Sequence, residues 1–376
     1  MSAYLHRNKD KDGQIPLHTA AEKSDKGIIA VMGHLAITDS NALMWKRNCW
    51  GYTPLHWAIK NNCDQDLVNQ IIGKILPSKR LKILKRQLIK PSPHGYSGVK
   101  GDNLLHTICQ TERRLVYIEI IRHWISDRQF LKLMKSINSR GETPLHIAAL
   151  SPDCFKPVLR MVMELNISPS KVSRQLLQCP NSDGESVLHK ATRLHPANLR
   201  LMFDLLPTDI FCSILANTNS LSQTALHLAI LHSNVETASH LDYILQEIIS
   251  KSDEITRNIL MAQDSINGWT VVHLLVKESN MQMLASILGY LNAAKLKTLL
   301  GVRDKNGLSP TQLAIQLNHL SMLECMVHYL TKITTDNDVL QMLRDNLRCY
   351  TREIVESLNV MPDFVLSLLT KYGLGG

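Results

Sequence analysis

The stretch Asn138-Ser-Arg-Gly141-Glu-Thr-Pro-Leu-His146-Ile-Ala-Ala149 decides the fold. An Asn three residues ahead of a Gly suits a turn, because its carboxamide can bond its own backbone. Gly141 admits the positive φ that the tip of such a finger needs. Thr143 can cap the helix that follows, and Pro144 in its first turn forfeits no N–H that the helix would use. Leu145 then points into a core, and Ala148 lets a neighbouring element approach closely.

The phrase is repeated along the chain. It stands as Gly13-Gln-Ile-Pro-Leu-His18, Gly51-Tyr-Thr-Pro-Leu-His56, Gly101-Asp-Asn-Leu-Leu-His106 and Gly184-Glu-Ser-Val-Leu-His189. It continues as Ser222-Gln-Thr-Ala-Leu-His227, Gly268-Trp-Thr-Val-Val-His273 and a worn copy, Gly307-Leu-Ser-Pro-Thr-Gln312. Asp10, Asn48, Asn181, Asn219 and Asp304 precede their Gly or Ser by the same three residues as Asn138. A fixed phrase at intervals of 38 to 50 residues is the mark of a stacked repeat, in which no unit buries its apolar face alone.

The phrase resembles the helix-opening Thr-Pro-Leu-His of the ankyrin repeat, matched in full at residues 53–56 and 143–146. The resemblance covers roughly residues 8–330 and implies an all-α solenoid of about eight helix-turn-helix repeats. The spacing departs from the family, whose period is about 33 residues. The surplus holds short amphipathic pieces with a capping residue in front: Ser126-Asp-Arg-Gln-Phe-Leu-Lys-Leu-Met, Ser170-Lys-Val-Ser-Arg-Gln-Leu-Leu, Thr208-Asp-Ile-Phe-Cys-Ser-Ile-Leu, Ser252-Asp-Glu-Ile-Thr-Arg-Asn-Ile-Leu and Asn292-Ala-Ala-Lys-Leu-Lys-Thr-Leu-Leu. These predict an extra short helix in most repeats. Residues 1–330 are read as the solenoid. Residues 331–376 are read as a helical C-terminal cap and short tail, on the spacing of Val339, Leu340, Leu343, Leu347, Val365, Leu368 and Leu369. Pro91 to Gly98 reads as an irregular insertion.

Composition fits this reading. The 376 residues are 44% hydrophobic and 20% charged, which excludes wholesale disorder, and only 5% aromatic, which suits helix packing better than a β-sandwich. No run is apolar for long enough to span a membrane. The eight cysteines are scattered, with no Cys-x-x-Cys pair, and read as reduced thiols in a cytosol-like compartment. The net charge of +9 is uneven: residues 1–150 hold 23 Lys and Arg against 12 Asp and Glu, and the remainder 19 against 21. An acidic partner or an anionic surface would be drawn to the first part.

Several features could carry chemistry. The repeated histidines occupy one equivalent position in separate repeats, so neighbours lie about a helix-packing distance apart and cannot share a metal ion. They read as neutral, buried rings bonding the Thr or Ser three residues earlier and a backbone group of the adjacent repeat. Neither metal nor cofactor is expected. Cys109, three residues after His106, raises the alternative of a cysteine-dependent hydrolase, but it sits at the small core position held elsewhere by Ala21 and Ala149. No phosphate-binding loop, zinc-protease or serine-hydrolase motif is present, so the protein reads as no enzyme.

The run 79–90 carries Lys79, Arg80, Lys82, Lys85, Arg86 and Lys90 without an acid. As a helix it places Leu81, Leu84 and Leu88 on one side, and offers a second alternative, an adaptor for an anionic membrane or acidic partner. No motif for specific nucleic-acid binding is present. Trp50 and Tyr52 flank the finger-tip Gly51, and Trp57 follows His56 where the inner helix meets the concave groove. Exposed aromatics are common binding anchors. Lys100, Arg140, Glu142 and Glu185 would rim such a patch, with Ile147 and Lys190 at positions equivalent to Trp57.

In ankyrin arrays the fingers and inner helices form the usual binding face. The resemblance therefore implies a non-catalytic scaffold, expected to be monomeric, that binds a partner protein through these residues. The enlarged, degenerate repeats also resemble ankyrin effectors that intracellular bacteria deliver into host cells. That resemblance implies a host protein as partner and the host cytosol as working compartment.

Overall fold

A computed structural model describes residues 9–23, 42–85, 99–232, 235–251 and 253–333, with positions 341, 367, 370 and 371 singly. The fold is all-α and built of ankyrin-type repeats; among the described residues the only β feature is an isolated bridge between Thr218 and Thr224. Two compact units divide the chain, Met1–Lys190 and Ala191–Gly376, whereas the sequence reading drew its boundary at 330.

In the first unit the inner helices are Pro16–Lys23, Pro54–Lys60, Leu104–Cys109 and Pro144–Ala148. The outer helices are Gln65–Gly73, Arg114–Trp124 and Pro152–Met163. The inner helices are short and buried almost all round: in Pro54–Lys60 every residue but the last is buried. A helix of that kind is held by its neighbours, not by its own propensity. In the second unit the inner helices Ala225–Leu231, Val271–Lys277 and Pro310–Gln316 alternate with outer helices Val235–Lys251, Met281–Tyr290 and Leu320–Ile333. The inner helix Val187–Leu194 carries the fifth phrase.

The expected third helix is present. It is Pro77–Leu84, Asp127–Met134, Thr208–Leu215, Asp253–Leu260 and Ala293–Gly301 in successive repeats. In the fourth repeat it opens as Pro169–Val172 and widens into a π-turn over Ser173–Leu177. Ser126 forms a capping box with Gln129, and Asn292 accepts from the Lys295 N–H at 3.0 Å, as their sequence positions suggest. Thr208 differs: the helix begins on it, with Pro207 at the cap and no side-chain cap bond.

Two sets of bonds fasten each finger. Within a finger the Asn or Asp oxygen accepts two backbone N–H groups; Asn138 Oδ1 takes Arg140 N at 2.9 Å and Glu142 N at 3.0 Å. Asp264, one position further from its glycine and not picked out by the sequence phrase, does the same for Ile266 through Trp269. Between fingers of the first unit, Cys49 N donates to Asp12 O, Ser139 N to Lys100 O and Ser182 N to Arg140 O at 2.7–2.9 Å. In the second unit Ser265 N donates to Leu221 O and Lys305 N to Asn267 O, both at 2.8 Å.

The histidines form the second fastening. In the copies with Thr or Ser, the hydroxyl lies 2.7–2.9 Å from Nδ1 of the His three residues on. The backbone N–H groups of Thr143, Ser186, Thr224 and Thr270 also point at that nitrogen, at 3.2–3.3 Å, so Nδ1 is an acceptor and Nε2 carries the proton. Nε2 then donates to the next finger: His18 to Tyr52 O, His106 to Glu142 O, His146 to Glu185 O, His227 to Trp269 O and His273 to Leu308 O, at 2.9–3.3 Å. Burial lowers the His18 and His146 pKa to about 4 and pushes His106 and His273 down as well. In the worn eighth copy the Gln312 carboxamide oxygen stands in for Nδ1, accepting from Ser309 N at 3.0 Å.

Most of the C-terminal cap read at 331–376 lies outside the described residues, as do the insertion 91–98 and Leu88, Arg86 and Lys90 of the basic run.

The finger tips predict unequal glycine substitutions. Gly141 has φ +69°, and a Cβ there would stand 2.8 Å from Ser182 N; Gly307 has φ +78° with nothing within 4 Å. Gly307→Ala should cost about 1–2 kcal/mol through φ alone, and Gly141→Ala clearly more, measured as the difference between their urea midpoints.

Candidate functional site

The inner-helix face of the first unit carries the most unusual chemistry. Gly51, at φ +96°, reverses the chain so that Tyr52 turns under the finger. Trp57 follows His56 on the inner helix and stacks on Trp50, ring centres 5.7 Å apart and nearly parallel, while Tyr52 meets Trp57 edge-on at 5.3 Å. The Lys60 ammonium lies 4.9 Å above the Tyr52 ring and 5.1 Å above that of Trp57, and burial pushes its pKa down. The expected patch of exposed rings is therefore corrected. Trp50, Tyr52 and Trp57 are 6%, 1% and 5% exposed, because the ring position after the glycine faces inward and the other two cover each other.

Their edges nonetheless line a hollow of about 680 Å³. The first repeat adds Asp12, Gln14 and Glu22, the second Lys60, Asn61 and Asn62, the third Thr107, Gln110, Thr111 and Glu112. Three buried polar atoms here have no hydrogen-bond partner: Trp57 Nε1, Gln14 Oε1 and Asn62 Oδ1. A buried donor or acceptor without a partner is uncommon and calls for an explanation. The sequence reading missed all of these residues but the tryptophans. Their signal was there in the register: Glu22, Lys60 and Gln110 stand four residues after their respective histidines, and Asn62 and Glu112 six.

A second cluster joins the third, fourth and fifth phrases. Glu142, expected on the rim, and Lys190, expected on the inner-helix face at the place of Trp57, form a buried ion pair with each other. Asn138 Nδ2 donates to Asp102 Oδ1 at 2.9 Å and reaches Glu142 Oε2 at 3.4 Å. Burial alone would raise the Glu142 pKa, but the bond and charge of Lys190 outweigh it and hold the carboxyl below its ordinary range. Glu185 and Ile147 are also buried, so the expectation of accessible rim positions at Glu142 and Glu185, and of accessible inner-helix positions at Ile147 and Lys190, is corrected. The residue after the finger glycine is turned toward the stack. Lys100 and Arg140, the residues before it, are exposed at the tips.

The basic helix Pro77–Leu84 buries Ile83 and Leu84, with Lys85 as its cap; of the expected Leu81–Leu84–Leu88 line, Leu81 is half-buried and Leu88 lies outside the described residues. Lys79, Lys82 and Lys85 are exposed. The Arg80 guanidinium lies 4.3 Å above the Trp124 ring, and Lys82 lies 5.5 Å from that of Trp45. Cys109 and Cys154 are buried. The hydrogen bond with Cys154, together with burial, pushes the Cys109 thiol well up, the opposite of an activated nucleophile. Among the described residues no three His, Cys, Asp or Glu side chains gather as a metal site would require.

A family model for the ankyrin repeat matches residues 50–76, the finger, inner helix and outer helix that carry Trp50 and Trp57. The chain therefore holds an ankyrin repeat at 50–76, and the finger and helix pattern of that repeat recurs in its other phrases. The nuclear factor NF-kappa-B p105 subunits of Gallus gallus and Rattus norvegicus are 25% and 27% identical to it over 162 residues. That stretch is 42% of this chain and spans only 14% of each relative. Ankyrin repeats generally mediate protein–protein interaction, on the concave surfaces that stacking creates.

The buried pair yields a prediction. Removing one partner, as in Lys190→Met, leaves a buried charge and should cost about 3–5 kcal/mol, whereas Lys190→Met with Glu142→Leu should recover most of the loss. Denaturant melts of the two singles and the double measure it.

Proposed function

We propose that this protein is a non-catalytic scaffold that binds a partner protein on its finger and inner-helix face, centred on the hollow beside Trp57. The supporting observation is that hollow itself: three successive repeats contribute to it, and it is lined by buried polar groups with no hydrogen-bond partner among the described residues. The inner helices that floor it are fixed by histidine and finger bonds to their neighbours, so a partner meets a surface already ordered. Preorganisation of that kind raises affinity by reducing the entropy lost on docking. The exposed finger tips Lys100 and Arg140 add charge beside it.

A host protein as partner, with the chain acting as a delivered bacterial effector, belongs to the same proposal and rests on the enlarged, degenerate repeats alone. The geometry does not favour a cysteine-dependent hydrolase: the Cys109 and Cys154 thiols are both buried and bond each other, the bond raising the Cys109 pKa and lowering that of Cys154, and burial closes both off from a substrate. The adaptor reading of the basic helix is weakened by Arg80 and Lys82, whose charges already lie over aromatic rings.

Site-directed photocrosslinking in cells tests the proposal. A crosslinking residue at Asn61 or Arg140, on the finger and inner-helix side, should capture one discrete protein. The same residue at Lys132 or Lys156, exposed on a third and an outer helix, should not. Capture from the outer positions alone would move the binding face elsewhere.

A further inference from the structure

The chemistry of the hollow narrows the kind of partner, and the narrowing rests on the concave-face reading above. Trp57, 5% exposed, and Gln14, 8% exposed, both line it, and the Trp57 N–H and the Gln14 carbonyl oxygen are enclosed there without a hydrogen-bond partner among the described residues. One donor and one acceptor are what the backbone of an incoming peptide can satisfy, since each of its residues offers one N–H and one C=O. Buried groups of this sort are costly until something bonds them.

The charges around them have one sign left over. The carboxylates of Asp12, Glu22 and Glu112 line the hollow and have no ion-pair or hydrogen-bond partner among the described residues. Among the described lining residues the one cation is Lys60, whose ammonium lies over the Tyr52 and Trp57 rings. The hollow is therefore an acidic spot in the part of the chain where basic residues outnumber acidic ones 23 to 12. Such carboxylates attract a cation and repel an acidic insert, and because Glu22 and Glu112 stand exposed, salt screens that pull.

We propose that the hollow receives a lysine or arginine side chain from a basic segment of the partner protein. The carboxylates of Asp12, Glu22 and Glu112 hold the cation, and backbone groups of the same segment bond Trp57 Nε1 and Gln14 Oε1. The general basicity of residues 1–150 then serves selection: it turns away basic surfaces that do not place a side chain in this one spot.

Random peptides displayed on phage and panned on the full-length chain test this, with hydrogen exchange locating each binder and thermal melts confirming that every variant is folded. Binders that protect residues 54–62 and 104–112 should share a Lys or Arg. Glu22→Gln with Glu112→Gln, at two exposed positions, should weaken them about tenfold, and added salt should weaken them further. Binders seated there without a required cation, or indifferent to the double variant, would overturn this inference and leave the concave-face reading standing. Binders that protect only other surfaces, or no binders, would overturn both.

Discussion

The bond from a buried imidazole to the carbonyl of the next finger holds this molecule in register. Each ring is fixed at both ends. Nδ1 sits over the helix N-terminus, where the residue three before it offers a backbone N–H and, at Thr or Ser, a hydroxyl; from His18, His106, His146, His227 and His273 the Nε2–H reaches a finger carbonyl 34 to 42 residues onward. The ring thus closes a cap and a joint together, and only its neutral form does both. Without that link the inner helices, some as short as Pro144–Ala148, are too brief to persist on their own.

A scaffold so fastened makes its exceptions informative. Buried donors and acceptors are satisfied along most of the fingers, by Asn and Asp at the turns and by carbonyls across the joints. Trp57 Nε1 and Gln14 Oε1 are among the exceptions, which also include Asn48 Nδ2, Thr192 Oγ1 and Asp242 Oδ1, and these two stand beside carboxylates that pair with nothing described. Elsewhere on the same face a buried carboxylate is matched at once, as Glu142 is by Lys190.

Much of this was legible in the sequence, because the phrase carries its physics locally. Gly or Ser at the tip, Asn or Asp three residues before it and His five after it each act within one turn. The positive φ at Gly141 and, without a glycine, at Ser222 follows from that register. The third helices were legible for the same reason, through caps such as Ser126 and Asn292. What failed was non-local. Glu142 and Lys190 lie 48 residues apart, and nothing in either phrase announces the other. Side-chain direction past the finger tip failed too: Tyr52, Glu142 and Glu185 look like exposed loop residues by type, yet the glycine turn aims them at the stack. The hollow appears only when columns four and six residues beyond the histidines are overlaid from three repeats.

The central claim is that the repeated imidazoles are neutral Nε2–H joints. The unfolded chain takes up a proton at each ring near pH 6.5, the folded chain at His18 and His146 only near 4, so folding excludes those protons between the two values. Stability is therefore full above about 6.5 and is lost as pH falls toward 4, by roughly 3 kcal/mol per such ring. Nitrogen-detected NMR of the histidine rings, followed from pH 7.5 downward, tests this most directly. The account predicts that the His18 and His146 rings keep the neutral Nε2–H pattern throughout the folded range, with no titration near 6.5. Rings that protonate near pH 6.5 while the chain stays folded, or that carry their proton on Nδ1, would contradict it.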